Sequence, residues 1–385
     1  VNAYICRDLF FTEYTGHTNS IQGLWIAMAR LASTHWYEPS WWPFQDAGVP
    51  FEHLYMPLVP GVTALYARIA QFSAARAFNG VTGAIYCLGP LTLFLMAWRM
   101  TGAAGYSFAA ALLYSVTSPA RALIHDPNFN PAFFWTSRRL YTMAVWDDVP
   151  HGAAVCFLPL AILFLWLSLT GRRRIHYLLA GVSIALAVSA SVFGAVAVAM
   201  SAFCLLFVLP GEQLGSNLRL IALIGILAYL AICPFLPPSL IATIRANQQM
   251  YPADRWSVAS FTALAAVALG WSVLWIALKR WTGDEILRFF LLFAYLTSSI
   301  PLLDAYANRH FLPQAGRYQP EMELALALAM VFLLRGVSEK LAATVKAALA
   351  FLLLSLAGEQ VVSHRRYAKD TIRGVDITRY IEYRA

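Results

Sequence analysis

Glu13 and His17 stand four residues apart near the start of this 385-residue chain, with Asp8 five residues before Glu13. On a helix, a spacing of four puts an acid and an imidazole on one face. A carboxylate held beside an imidazole is suited to general-base work, taking the proton from an attacking hydroxyl. The same residues also fit an ordinary solvated loop that leads through Thr18-Asn19-Ser20 into a capped helix at IQGLWIAMARL.

A second stretch, HWYEPSWWPFQDAGVPFEHLYMPL (35–58), holds three Trp, three acids, four Pro and two His. Trp36, Tyr37, Trp41, Trp42 and Phe44 suit the headgroup zone of a bilayer, where amphipathic rings are favoured. An aromatic belt accounts for the rings. It does not account for Glu38, Asp46, Glu52, His35 and His53 among them. Rings that stack on pyranose faces, with carboxylates that bind hydroxyls, are what a sugar site uses.

A third stretch, residues 128–155, carries Arg138-Arg139, Asp147-Asp148 and His151. Paired guanidiniums match a phosphate bidentately. The two Asp before Pro150 also read as a helix start. Together with His151 they resemble part of a divalent-metal site, but the ligands are too few in one place for a cofactor to be assigned. The fourth stretch, NRHFLPQAGRYQPEMELAL (308–326), places Arg309, His310 and Arg317 before Glu321 and Glu323. Arg317 and Glu321 have the i,i+4 spacing of an ion pair. These cations suit a clamp for an anionic lipid headgroup or for a pyrophosphate leaving group, and equally a structural ion-pair network.

The elements that must position these residues are apolar. The chain is 59% hydrophobic and 12% charged, with mean hydropathy +0.60, whereas a soluble domain is roughly a quarter charged. The expected fold is all-α, a polytopic transmembrane protein with about ten spans, at 74–99, 104–121, 150–169, 175–190, 192–209, 218–236, 257–278, 285–303, 321–335 and 341–357. The apolar run 177–209 is too long for one crossing and is divided at Ser189-Ala190-Ser191. Residues 57–72, with Arg68, read as an interfacial helix. Residues 1–357 then form one membrane domain and 358–385 an outer tail, a docking arm or the beginning of a larger outer domain. The chain opens on Val1 and polar sequence, from which we expect a further span upstream.

This division puts Arg99, Arg172-Arg173-Arg174, Arg219, Lys279-Arg280, Arg288, Arg335, Lys340 and Lys346 on one side, the expected cytoplasmic one. Only Glu212, Asp284, Glu285 and Glu339 among the 20 acids fall there. The long loops, and with them the chemistry, are expected on the extracytoplasmic side of a bacterial inner membrane. The formal charge of +8 is spread over short connections and is no nucleic-acid signal. The five Cys form no CxxC, so structural zinc and c-type haem have no support. No Walker, dinucleotide, GxSxG or HExxH motif occurs.

Several short motifs are similar to one family. Glu13 four before His17, then WWPF (41–44), GVPF (48–51) and YMPL (55–58), resemble the first outer loop of the bacterial pyruvoyl-tetrahydropterin synthase-related membrane domains, which look like part of the GT-C class of polytopic glycosyltransferases. WDDVPH (146–151) and FLPQAGRYQPEME (311–323) are similar to later outer loops of that group. The resemblance implies a polyprenyl-phosphate sugar as donor, an acid that activates the acceptor hydroxyl, inversion at the sugar carbon, and an Arg that holds the departing lipid phosphate. Carried onto this chain, the base is Glu13, with Asp8 as runner-up. The phosphate holder is Arg317, Arg309 or the Arg138-Arg139 pair. Stretch 35–58 becomes the outer wall of the site, with Asp46, Glu52 and His53 facing the cavity.

Two other functions compete with this one. An accessory subunit of a larger membrane complex would have these residues paired with each other or with a partner subunit, and no cavity. A transporter would need a polar path through the membrane. The near absence of charge within the spans argues against it, although Pro90, Pro159 and Pro234 interrupt three of them.

Overall fold

The computed structural model describes residues 1–16, 21–34, 57–124, 135, 138–146, 148–248, 257–309, 311–312 and 314–375, and the backbone of 41–42 and 49–50. In chain order the helices are α1 (Asn2–Ile5), α2 (Ile21–Thr34), α3 (Leu58–Ala70), α4 (Ala74–Thr101), α5 (Ala104–Val116), α6 (Pro119–Leu123), α7 (Arg138–Ala144) and α8 (Val149–Gly171). They continue with α9 (Arg174–Ala190), α10 (Phe193–Val208), α11 (Leu214–Ile232), α12 (Pro238–Gln248), α13 (Val258–Trp281), α14 (Glu285–Ala307), α15 (Gln319–Ser338) and α16 (Ala343–Thr371). Among the described residues, the extended structure amounts to a two-residue antiparallel pairing, Trp41 with Pro50 and Trp42 with Val49, and an isolated bridge between Thr15 and Gly374. The protein is all-helical, as its apolar runs predict.

Six helical stretches among the described residues are long and apolar enough to cross a membrane: α4, α8, Gly211–Ile232 (α11 with the turn before it), α13, α14 and α16. Every one of the ten stretches read as spans is helical, but four fall short of that standard. α5 ends at Val116, because Thr117 turns to extended backbone and Pro119 starts the separate α6. Helices α9 and α10 have 17 and 16 residues, fewer than the roughly 20 that span a bilayer. α15 has the length but carries Glu321, Glu323 and Arg335.

Local chemistry sets the helix ends. Ser73 accepts a hydrogen bond from the Arg76 N–H at the start of α4, Ser257 and Ser260 form a capping box on α13, and Asp284 accepts from the N–H groups of Ile286 and Leu287 on α14. Each satisfies donors that a helix start leaves open. The run 177–209 does break at Ser191, whose backbone is extended between α9 and α10. Gly194 lets the two arms close: a Cβ there would stand 2.6 Å from the Ala187 carbonyl oxygen.

The main core joins α4, α5, α8, α10, α14 and α15 around Leu93, Met96, Leu158, Ile162, Leu205, Phe289, Phe290, Phe293 and Leu328. A second core joins the first sixteen residues to α2, α4, the start of α8 and α16 through Ile5, Leu9, Trp25, Phe78, Tyr86 and Ala368. The two cores order the packing. Early α4 residues meet early α8 residues and late meet late, so these helices run parallel. α5 runs against α15, with Tyr106 hydrogen-bonded to Ser338 at one end and Ser118, just past α5, bonded to Glu323 at the other. The starts of α7, α8 and α15 therefore share one end of the bundle with the end of α5. Arg99, Arg172 and Arg335 lie at the opposite end.

Residues 358–371, read from sequence as the beginning of the tail, continue α16 and dock on the first segment, where the Val375 N–H donates to the Tyr14 carbonyl. Gly194→Ala should force the α9–α10 hairpin apart against backbone that cannot yield. We expect a loss of about 1–3 kcal/mol, read as a lower thermal midpoint in detergent. An unchanged midpoint would show that the hairpin does not depend on this approach.

Candidate functional site

The site begins with a proline inside a helix. Pro90 has no N–H, so the carbonyl four residues earlier, that of Tyr86, loses its helical donor. Arg139 on α7 supplies another: its Nη2 donates to the Tyr86 carbonyl at 2.8 Å. The guanidinium lies 4.7 Å from the centroid of the Tyr86 ring and 4.3 Å from that of Tyr114, within cation–π range. Gly89 leaves room for it, since a Cβ there would stand 3.2 Å from Nη2. Nη1 is buried and, among the described residues, has no hydrogen-bond partner. Nor does any carboxylate among them form an ion pair with Arg139.

Next to Arg139 lies a group of buried ionisable side chains. Glu323, 1% exposed, accepts a hydrogen bond from Ser118. The charges of Arg138, Arg139 and Arg121 all bear on it, so three short elements, α6, α7 and the start of α15, converge on one carboxylate. Two residues earlier, the fully buried Glu321 meets His151 Nε2 at 3.0 and 3.1 Å through its two oxygens. His151 Nδ1 is buried without a hydrogen-bond partner among the described residues. Phe193 packs on the imidazole at 5.2 Å and on Tyr318 at 5.5 Å. Asp148 and Arg317 act on His151 with opposite signs.

Gly89, Tyr114, Arg138, Arg139, Cys156 and Glu323 are among the residues lining a narrow cleft. Its free space is about 20 Å³, a volume that holds about one water. Thr92 helps to fix the cleft wall, donating to the Cys156 carbonyl at 2.7 Å and so tying α4 to α8.

The residues singled out from sequence divide into three sets. Arg138, Arg139, His151 and Glu321 come together. Asp8, expected as a reserve base, is instead engaged by Arg365 through two hydrogen bonds of 2.6 and 3.0 Å. Arg365 also donates to the Ile5 carbonyl at 3.3 Å, so this pair locks α16 to the first segment. Glu321 pairs with His151, 170 positions away, and not with Arg317 at i,i+4. Its position faces the bundle interior, whereas Arg317 is exposed with its guanidinium 5.6 Å from the Phe193 centroid.

Glu13 is exposed, and its backbone carbonyl accepts from Asn79 at 3.1 Å. Arg309 is exposed. Asp148 occupies the N-cap position of α8 without making a capping hydrogen bond. His17, Asp46, Glu52, His53 and Asp147 lie outside the described residues, as do the side chains of Trp41 and Trp42. Among the described residues no group of three or more His, Cys, Asp or Glu could hold a metal ion, so Asp148 and His151 do not form part of such a group there.

Glu323, Ser118, Arg121, Tyr86 and Tyr114 were not among the expected site residues. A signal for Arg121 was present, because a lone Arg in the apolar stretch PARAL at the end of an expected span is costly without a partner. For Tyr86 the signal was the proline four residues on. No protein-family model matches the chain, and no curated protein sequence matches it.

Removing one member of a buried ion pair strands the other. Glu321→Leu alone should cost about 3–5 kcal/mol, and His151→Phe combined with Glu321→Leu much less than the sum of the two single changes. Thermal unfolding of the four proteins in detergent measures the difference. Additive losses would show that the two side chains do not act as a pair.

Proposed function

We propose that this chain is an integral membrane protein of GT-C-like architecture that binds a polyprenyl-phosphate sugar at the Arg139 end of the bundle and transfers the sugar to an acceptor hydroxyl. The observation that carries the reading is the seat of Arg139. A guanidinium is held between two Tyr rings and a carbonyl freed by Pro90, with a buried N–H left over and no carboxylate paired to it among the described residues. Such a group is prepared for a phosphate, whose oxygens accept strong charge-assisted bonds from guanidinium N–H groups.

In this reaction the acceptor oxygen attacks the anomeric carbon and the bond from that carbon to the lipid phosphate breaks. The acceptor proton passes to Glu13. Arg139 holds the phosphate as its charge grows, the electrostatic stabilisation that contributes most in water-poor sites. Glu13 is exposed on the segment that packs along the outer half of α4, where Phe10 lies against Gly83 and Cys6 against Cys87. The site faces the extracytoplasmic side of the membrane, because Arg99, Arg172 and Arg335 mark the other end as cytoplasmic.

A second reading, a non-catalytic subunit of a larger membrane complex, has its own support. The cleft is small, and two of the acids are engaged in ion pairs. Only 6% of the apolar window of α16 and 22% of that of α13 are buried, so two long apolar faces are open to lipid or to other membrane subunits.

Native mass spectrometry of the full chain in mild detergent separates the two. The first reading expects a retained polyprenyl-phosphate mass that Arg139→Gln weakens by about tenfold, the scale of one charge-assisted contact. Pro90→Ala should weaken it as well, since the new N–H would compete for the Tyr86 carbonyl and unseat Arg139. Glu13→Gln should retain the lipid and abolish transfer. No such lipid, with partner proteins at fixed stoichiometry, would overturn the first reading in favour of the second.

A further inference from the structure

The opposite end of the bundle carries a larger opening. The end of α10, the start of α11, the end of α13 and the start of α14 enclose a groove of about 490 Å³, within the size range of small-ligand sites. Its walls are apolar, with Phe203, Phe207, Leu214 and Leu218 all substantially exposed. Trp275 stands in the wall with its ring edge-on to Phe207 at 5.9 Å.

Two cations close the groove at one end. Lys279, in the last turn of α13, places its ammonium 4.8 Å from the Trp275 centroid. Arg288, in the first turns of α14, places its guanidinium 5.7 Å from the same centroid. Arg288 spends one N–H on the Gly283 carbonyl at 3.4 Å, while its Nε is buried with no hydrogen-bond partner among the described residues. The one carboxylate in the lining, Glu285, is exposed and forms no ion pair with either cation among the described residues.

We infer that this groove is a binding site for an anionic phospholipid, with the acyl chains along α10, α11 and α13 and the phosphodiester between Lys279 and Arg288. Three features select that occupant. The walls continue into helix faces that are open over their whole apolar length, 28% buried for the window of α11 and 22% for that of α13, so a ligand with long apolar chains is covered where a compact soluble one is not. The cations sit at the helix ends, at the depth where a headgroup phosphate lies, and the Trp ring beside them suits the same interfacial layer. Arg172, Arg219 and Arg280 at this end of the bundle add a field that enriches anionic lipid near it. The site is separate from the Arg139 cleft and does not depend on the function proposed for that cleft.

The test uses the full chain in a neutral detergent, with phosphatidylglycerol or phosphatidylcholine added at equal amounts and read by native mass spectrometry and thermal shift. Phosphatidylglycerol is expected to remain bound and raise the thermal midpoint, and phosphatidylcholine, whose phosphodiester carries a choline cation into the field of Lys279 and Arg288, to do so about tenfold less well. Inorganic phosphate at millimolar concentration should not displace the lipid. Lys279→Gln with Arg288→Gln should erase the preference. Leu218→Trp, on an exposed wall and so not needed for folding, should reduce binding of either lipid. Lys340→Gln with Lys346→Gln, cations of the same end outside the groove, should leave the preference intact. Equal retention of the two lipids, a preference that survives the Lys279/Arg288 change, or displacement by phosphate alone would overturn the assignment.

Discussion

A cation can sit inside an apolar helical bundle only where neutral dipoles or opposite charges replace the water it has lost. At Arg139 that replacement comes from a defect in α4. Every carbonyl in an uninterrupted helix interior already has its own N–H donor, and the proline at 90 takes one donor away. The Tyr86 carbonyl then points at α7 with a lone pair to offer, Gly89 clears the approach, and the Tyr86 and Tyr114 rings present their negative faces to the guanidinium. The rest of this end of the bundle follows from seating that charge. Glu323 comes under the same three guanidiniums, and α6, α7 and α15 are drawn together around it.

The other buried charges are resolved differently. Asp8 and Arg365 meet across 357 positions and tie the end of α16 to the first segment. His151 and Glu321 meet across 170 and tie α8 to α15. Asp8 is partly exposed, so water limits the desolvation cost of its pair with Arg365, whereas His151 and Glu321 are buried and each answers the other's lost hydration. One pair fastens the chain's first segment to its last described helix and the other sets α8 against α15, registers that apolar contacts alone would leave loosely specified, since helix faces slide over one another with little change in buried area.

The helices themselves were legible in the sequence because hydropathy acts locally. Each stretch read as a span holds a helix, six of them long and apolar enough to cross a membrane, and the break expected at Ser189-Ala190-Ser191 falls at Ser191. The limits of that reading have physical causes. α5 ends early before Pro119 because a proline drives the residue ahead of it, here Ser118, out of helical backbone, an effect that a hydropathy window averages away. The expected Arg317–Glu321 pair assumed a helix face in solvent, whereas Glu321 lies in the first turn of a helix whose start is buried against α8. Asp8–Arg365 and His151–Glu321 depend on tertiary packing between distant segments, which no spacing rule within either stretch reports. Pro90 was noted as an interruption of a span, and the step from there to the freed Tyr86 carbonyl needed only the count of four residues. That Arg139 takes it needed the fold.

Charge saturation distinguishes Arg139 from the other cations of the bundle whose partners are known. Arg365 has a carboxylate on two of its nitrogens and gains little from a further anion. Arg139 has a carbonyl, two ring faces and a buried N–H without a hydrogen-bond partner among the described residues, and Glu323, whose charge reaches it, stops short of an ion pair. Coulomb energy in such a place falls off slowly with distance and is weakly screened, which makes the gain from an arriving anion largest there. The free space beside Arg139 holds about one water, so the phosphate of the proposed ligand reaches the buried Nη1 only where the cleft walls yield. Among the described residues the bundle closes Asp8 and Glu321 in pairs and leaves Arg139 without a salt bridge, within reach only of the longer-range field of Glu323, and the proposed phosphate site rests on that difference.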